Sequence, residues 1–241
     1  MPATLDIVLP CYNPPKNWAE EIVSNFIKLS QLLPSVSIKI ILVNDGSTKN
    51  ITAHEIDYLM NELPAFQYIS YIENKGKGYA LRKGIAESYA IHCIYSDIDF
   101  PYTTNSIIDI YSSLQNNQDV IVGNRGGDYY DGVPPIRIFI SKLLRLFNRV
   151  FLGMKIYDTQ CGLKGFNEKG KAIFLNTIIN RYLFDLEFVY LCSNSKETTI
   201  NPVNVTLKEG VVFSKMNINI LKQEGWSFLK LVFRHFKKKI F

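Results

Sequence analysis

The sequence predicts an α/β protein, a mainly parallel sheet flanked by helices and closed by C-terminal amphipathic helices. Three observations predict it. Short β-rich apolar runs alternate with amphipathic stretches through the first half of the chain. Each run stops at a polar or glycine-bearing cluster, the punctuation expected where a parallel strand hands over to a helix. No stretch of 18 consecutive apolar residues occurs, so the apolar content reads as core rather than as a membrane span.

The elements follow in order. Residues 5–10 read as a strand, and residues 17–33 as an amphipathic helix closed by Pro34. A second strand over 38–43 ends at Asn44-Asp45-Gly46-Ser47. A third, over 67–73, leads through Gly76-Lys77-Gly78 into a helix reaching about Ala90. Residues 92–96 and 119–123 complete the strand set. The second half is less regular, with a helix over 137–152, a loop at Asp158-Thr159-Gln160-Cys161-Gly162, a helix near 168–179 and a last helix from about Asn219. No repeat, low-complexity tract or linker divides the chain. The expectation is one domain over residues 1–218 and a basic amphipathic helix over 219–241.

The net charge of +5 belongs to the tail. From Lys208 onward there are eight Lys or Arg against Glu209 and Glu224, a local +6, so the rest is close to neutral. A basic tail points to an anionic surface. Cys11, Cys93, Cys161 and Cys192 stand far apart without metal spacing and read as buried thiols in a reducing compartment. The histidines (His54, His92, His235) show no ligand spacing, and the aromatics are too scattered for a base-stacking platform. Nucleic acid is therefore not an expected partner. The chain enters its first strand without a charged leader and apolar signal region, so a cytoplasmic location is expected.

In a parallel sheet ligands gather at the carboxyl ends of the strands. Four polar clusters fall there. Pro10-Cys11-Tyr12-Asn13 offers a ring and an amide to a nucleobase, and Asp45 offers an acceptor for a base N–H. Asn74-Lys75-Gly76-Lys77-Gly78 precedes a helix, where backbone N–H groups and two lysines attract phosphate. Asp97 and Asp99, two apart at the end of the fourth run, point the same way on an extended chain and suit one divalent cation beside a diphosphate. Alone, each cluster also fits a plain turn, cap or solvated loop. Their shared position at strand ends favours a site. Along 137–152, Lys142, Arg145 and Arg149 form a stripe that fits either a cradle for an acceptor phosphate or a solvated helix face.

Pro10-x-Tyr12-Asn13, Asn44-Asp45-Gly46-Ser47, Asn74-x-Gly76-Lys77-Gly78-x-Ala80 and Asp97-x-Asp99, in that order, resemble the family 2 glycosyltransferases. The run Asp158-Thr159-Gln160-Cys161-Gly162-Leu163-Lys164-Gly165-Phe166, with Phe184-Asp185-Leu186-Glu187 after it, resembles the dolichyl- and polyprenyl-phosphate glucose or mannose synthases within them. The resemblance implies a GT-A, Rossmann-like fold and a UDP-glucose-like nucleotide-sugar donor. It implies Mg2+ or Mn2+ at Asp97 and Asp99, with Pro10, Tyr12, Asn13, Asp45, Asn74, Lys77 and Asp97 around the donor. It implies inversion by a lipid-phosphate oxygen, with Asp99, Arg125 and Asp158 as catalytic residues. Arg125 and Lys215 stand where the family contacts phosphate, and Arg145 joins them from the basic stripe. Asn44 stands where the family carries Asp, Pro14 where an acid is common, and no glycine precedes Ser214-Lys215.

In the last helix Trp226, Leu229, Phe233, Phe236 and Ile240 recur at helical spacing beside Lys230, Arg234, Lys237 and Lys238. That pattern fits peripheral attachment to the cytoplasmic face of an anionic membrane, or an ordinary terminal helix docked on the domain. A saccharide acceptor in cell-surface glycan assembly is the rival substrate. It requires a base, for which Asp158 and Asp185 are the candidates. A nucleotidyltransferase is disfavoured, because no glycine- and arginine-rich loop follows the first strand. A degenerate, non-catalytic scaffold is disfavoured by the intact Asp97 and Asp99.

Overall fold

A computed structural model describes residues 3–126 and 158–210, together with residues 146, 152, 156, 225 and 228. Seven strands make one sheet among these residues: β1 (Ala3–Cys11), β2 (Val36–Asp45), β3 (Phe66–Tyr71), β4 (His92–Tyr95), β5 (Val120–Arg125), β6 (Lys164–Phe166) and β7 (Ile200–Val205). Among the described residues six helices connect or follow them: α1 (Trp18–Leu32), α2 (Ala53–Glu62), α3 (Lys77–Ala86), α4 (Thr104–Gln115), α5 (Glu168–Leu175) and α6 (Phe184–Ser193). The strand order is β3-β2-β1-β4-β6-β5-β7. β6 alone runs against its neighbours β4 and β5, and every other pairing is parallel.

The sheet is buried on both faces, as a parallel sheet requires. On one side Trp18, Ile22, Leu59 and Ile110 of α1, α2 and α4 share one apolar cluster with the inward residues of β1 and β2, Ile110 lying against Gly165 of β6. On the other, α3, α5 and α6 contribute Leu81, Phe174, Phe184 and Phe188. Tyr95, Phe166, Phe174 and Phe188 interlock there, with ring centroids 4.9–6.3 Å apart for the contacting pairs. Gly84 lets α3 lie flat on the sheet, because a Cβ there would stand 2.5 Å from Val8 Cγ1 and 2.8 Å from Val43 Cγ2.

The five strands expected from the apolar runs are present, and the sheet extends beyond them. β6 and β7 were not expected. Three residues are too few for a periodic signal. β7 carries Pro202, which a sheet tolerates at its edge, where β7 lies. The sheet direction switches at β1, whose successive neighbours are β2 on one side and β4 on the other. The crevice outside the carboxyl ends of β1 and β4 is where such a sheet binds its ligand.

Candidate active site

Three strand ends converge on that crevice. β1 delivers Tyr12 and Asn13, β2 delivers Asn44 and Asp45, and β4 delivers Asp97 and Asp99. The loops between them are held by their own side chains. Asn13 takes a left-handed backbone (φ 47°), and its Oδ1 accepts from the amides of Thr48 (2.8 Å) and Lys49 (3.0 Å). Asn44 donates to the hydroxyls of Tyr68 (2.9 Å) and Ser70 (3.2 Å), and its Oδ1 receives the Ser47 amide at 2.9 Å. These bonds use the donor and acceptor sides of an amide, so Asn at this position serves the loop directly.

Asp45 is buried, and its carboxylate is filled from within. Oδ1 accepts from Tyr71 Oη (2.8 Å) and the Lys75 amide (2.7 Å). Oδ2 accepts from Asn74 Nδ2 and the Gly76 amide, both at 2.9 Å. Four donors occupy the roughly four acceptor sites of a carboxylate. Asp45 and Asn74 therefore form a brace that shapes the loop before α3, and a nucleobase N–H would have to share an oxygen already twice bonded. The amides at the start of α3 are likewise engaged, Gly78 and Tyr79 donating to the Asn180 carbonyl at 2.8 and 3.4 Å. This corrects the expectation of an open phosphate nest at residues 74–78. The loop from 177 to 180 sits where a phosphate would approach those amides.

What α3 does offer is Lys77. Its ammonium donates to Asp97 Oδ1, with the two side chains 25% and 38% exposed. Burial alone would lower the Lys77 pKa, but the charges of Asp97, Asp185 and Asp99 outweigh it and raise it. Lys77 therefore stays cationic at the rim of the crevice. Asp97 Oδ2 faces Gly162, where a Cβ would lie 2.5 Å away. Asp99 follows in a turn closed by the Phe100 amide on the Asp97 carbonyl (3.0 Å), with Phe100 buried in a left-handed conformation (φ 42°). Such a backbone is strained for a bulky residue and fixes the direction in which Asp99 leaves the turn. Partial burial of the carboxyl and the charge of Asp97 raise the Asp99 pKa, against the pull of Lys77 and Lys208.

The pair Asp97–Asp99 fits a hard divalent cation. The donors are carboxylate oxygens, and the charge of Asp97 disfavours the ionised form of Asp99, a repulsion that a bound cation would relieve. No group of three or more His, Cys, Asp or Glu able to hold a metal occurs among the described residues.

Arg125, at the end of β5, meets Asp158. Nε donates to Oδ2 and Nη2 to Oδ1, both at 2.7 Å, and the Arg125 amide adds a bond to Oδ2 at 3.0 Å. Burial would raise the Asp158 carboxyl, but the bonds and charge of Arg125 hold it below the ordinary carboxylate range. An aspartate so held makes a poor proton acceptor. Asp185 is equally committed, taking Tyr95 Oη at 2.5 Å and the ammonium of Lys164, which is fully buried. The structure thus sets aside both carboxylates put forward as bases. Arg145, Lys215 and the apolar stripe from Trp226 to Ile240 lie outside the described residues. Tyr12, half exposed at the rim, and Pro10, buried at the end of β1, lie beside the crevice.

Four contributors carried no role in the sequence reading. Lys164 Nζ also reaches the Cys161 carbonyl (2.5 Å), and Tyr102 Oη accepts from the Gly162 amide (3.1 Å). Asn180 caps α3, and Gly162 abuts Asp97. A lysine in an otherwise apolar run, Leu163-Lys164-Gly165-Phe166, was the available signal, because a buried ammonium needs an anionic partner. The four cysteines are buried and unpaired, and burial pushes the Cys11 and Cys93 thiols up to about 12.

Residues 6–188 match the family described as glycosyl transferase family 2. Dolichyl-phosphate beta-glucosyltransferase of Dictyostelium discoideum is 27% identical over 201 residues, covering 78% of this chain and 61% of that protein. The Drosophila melanogaster protein of the same name is 25% identical over 206 residues, covering 80% and 63%. The chain thus spans about three fifths of the length of these relatives. Among solved structures, mannosyl-3-phosphoglycerate synthase from Rubrobacter xylanophilus superposes with a TM-score of 0.70 at 14% identity, over 98% of this chain and 75% of that one. Glucosyl-3-phosphoglycerate synthase from Mycobacterium tuberculosis, in complex with Mn2+, UDP and glucosyl-3-phosphoglycerate, gives 0.62 at 14% identity, over 97% and 80%. At such identity the likeness carries the fold, which is GT-A. With its strand-end motifs placed in one crevice and three quarters of its length matched, the chain belongs to glycosyl transferase family 2.

Proposed function

We propose that the chain transfers a glucosyl group from a UDP-glucose-like donor to a polyprenyl or dolichyl phosphate, with inversion at the anomeric carbon. One observation carries the choice of acceptor. Asp158 and Asp185, the candidates for deprotonating a sugar hydroxyl, are locked into buried ion pairs with Arg125 and Lys164. A phosphate oxygen is ionised near neutral pH and needs no such base. The sequence relatives, named for dolichyl phosphate and glucose, support the same choice.

In this mechanism the phosphate oxygen forms a bond to C1 as the bond from C1 to the nucleoside diphosphate breaks, and the electron pair leaves with the diphosphate. The chain's own part is alignment and charge. Lys77 holds a cation beside Asp97, where negative charge builds on the leaving group. Tyr12 and Asn13 border the nucleoside end, and the Asp45 brace keeps the loop carrying Lys77 in place. Asp97 and Asp99 would hold Mg2+ or Mn2+, which when bound supplies Lewis-acid neutralisation of the diphosphate. Mn2+ accompanies UDP in the mycobacterial neighbour.

The acceptor's lipid tail places the reaction at a membrane surface. No helix among the described residues is long and apolar enough to cross a bilayer. Peripheral attachment at the cytoplasmic face, through the basic stripe of the last helix, is the proposed arrangement. Transfer of labelled glucose from UDP-glucose, tested against polyprenyl phosphates and against soluble saccharides, decides the acceptor. Product on lipid phosphate alone supports the proposal. Product on saccharides alone overturns it.

A further inference from the structure

Helix α6 carries two buried acids in its first turn, and each reaches one side of the Lys77–Asp97 pair. Glu187 Oε2 accepts from the amides of Ile178 (2.9 Å) and Ile179 (2.8 Å). The segment so held lies on the start of α3, where the Asn180 carbonyl receives the Gly78 and Tyr79 amides. The fit leaves no space, because a Cβ on Gly76 would lie 2.5 Å from the Asn180 carbonyl oxygen and one on Gly78 2.6 Å from that of Ile179. Lys77 stands between these glycines. Arg82 closes the same contact from α3, donating to the Ile179 carbonyl at 2.9 Å and to Thr177 Oγ1 at 3.1 Å.

Asp185 serves the other side. It binds Lys164, whose ammonium reaches the Cys161 carbonyl, and the next residue, Gly162, abuts Asp97 Oδ2. A buried ion pair adds little net stability over a well-packed apolar replacement. What it does supply here is a fixed position for one backbone carbonyl.

We propose that α6 is a two-armed clamp that sets the Lys77–Asp97 contact. Glu187 positions Lys77 through residues 178–180, and Asp185 positions Asp97 through Lys164 and the Cys161–Gly162 backbone. Both acids are positioning residues. Only the effect on substrate rests on the proposed donor site; the clamp itself does not.

Hydrogen exchange by mass spectrometry on the full chain, without ligand, tests the two arms separately. Glu187→Gln is expected to speed exchange at least tenfold at the Gly78 and Tyr79 amides and to leave residues 161–163 unchanged. Asp185→Asn is expected to do the reverse. Uniform acceleration in both variants, or none in either, overturns the clamp. Where Asp185→Asn fails to fold, the double variant Asp185→Asn/Lys164→Met removes the same arm without leaving a buried charge. A second measurement is UDP affinity with Mn2+ present. Glu187→Gln should weaken it about tenfold in the wild-type background and less than twofold in Lys77→Met. Equal weakening in both backgrounds would show that Glu187 acts on the fold as a whole. A wild-type chain that binds no nucleoside diphosphate would refute the donor site, while the exchange pattern would still decide the clamp.

Discussion

Arg125 grips Asp158 side-on, with two parallel bonds of 2.7 Å from its fork to the two carboxylate oxygens. The pair ties the end of β5 to the loop that reaches Asp97 and holds the guanidinium in one orientation. Arg125→Lys keeps the charge and loses the fork. Turnover is expected to fall by about tenfold in Arg125→Lys and by about 10²–10³-fold in Arg125→Ala, consistent with a loss of roughly 2–4 kcal/mol of oriented charge stabilisation. Steady-state kcat/KM for both variants checks the order. Equal and unimpaired kinetics would reduce Arg125 to a structural partner.

The same pair sets an acid limit. Asp158 and Asp119 both have folded pKa values below the ordinary 3.8, Asp119 because bonds from Thr199 and Asn167 and the charge of Lys169 outweigh its burial. The unfolded chain therefore binds more protons than the folded one as pH drops below the unfolded value. Their contribution is complete above about pH 5 and is lost as pH falls through the folded pKa. Thermal unfolding of the wild type from pH 7 to pH 3 should show Tm falling below pH 5, and Asp119→Asn should flatten that slope. An unchanged slope would remove Asp119 from the acid-sensitive set.

Asp99→Asn is expected to abolish most turnover with the fold intact, and Asp97→Asn to do so somewhat less. Losing one carboxylate weakens neutralisation of the leaving group, an effect of several kcal/mol at such sites. Activity titrated against Mn2+, with circular dichroism as the folding control, makes the comparison. Full activity of both variants in the presence of chelator would refute a metal-binding pair.

Gly162→Ala separates site geometry from stability. The new Cβ would meet the mobile end of Asp97 rather than backbone, so the carboxylate moves and the fold tolerates it. Displacing a charged group by about 1 Å can cost 10²-fold in rate, so a loss of that order is expected with Tm nearly unchanged. Gly126→Ala is the control, since no described atom lies within 4 Å of its Cβ position.

One residue of the C-terminal segment contributes to the packing of the domain. Phe228 packs against the cluster that holds Phe174 and Phe188, although it lies past the 218/219 boundary expected from sequence. Truncation after Gly225 should therefore lower Tm modestly as well as weaken binding to anionic vesicles. Vesicle binding by the intact chain should fall as salt rises. An intact chain that ignores anionic vesicles at low salt would show that the stripe is packing surface.

The runs of β1, β2, β4 and β5 are legible because those strands are largely buried and read as continuous apolar blocks, whereas β3, half-buried at the edge, shows as the mixed run Phe66-Gln67-Tyr68-Ile69-Ser70-Tyr71. The paired Asp97 and Asp99 are legible because they end one of those blocks. Asp45 is harder to read. An acid after a strand looks the same whether it waits for a ligand or braces a loop, and only the partners Tyr71, Asn74, Lys75 and Gly76, some 26 to 31 residues on, decide it. The capping of α3 by Asn180 is invisible for the same reason, since the two segments lie about a hundred residues apart. β6 escapes periodicity because it has three residues and one of them is a buried lysine.

That short strand governs the order in which the molecule is made. β4 and β5 do not touch each other; β6 lies between them and pairs with both. A chain leaving the ribosome can therefore join β1, β2, β3 and β4, but β5 has no neighbour in that sheet until residue 166 has emerged. Domains form N-terminal first during synthesis, and pairings across long separations come late. Until then two sheet edges stand open, and Asp97 has no Gly162 opposite it. The catalytic crevice is thus closed by one of the last sheet pairings to form, and slowing synthesis just before Lys164 should lengthen the time for which those edges invite aggregation.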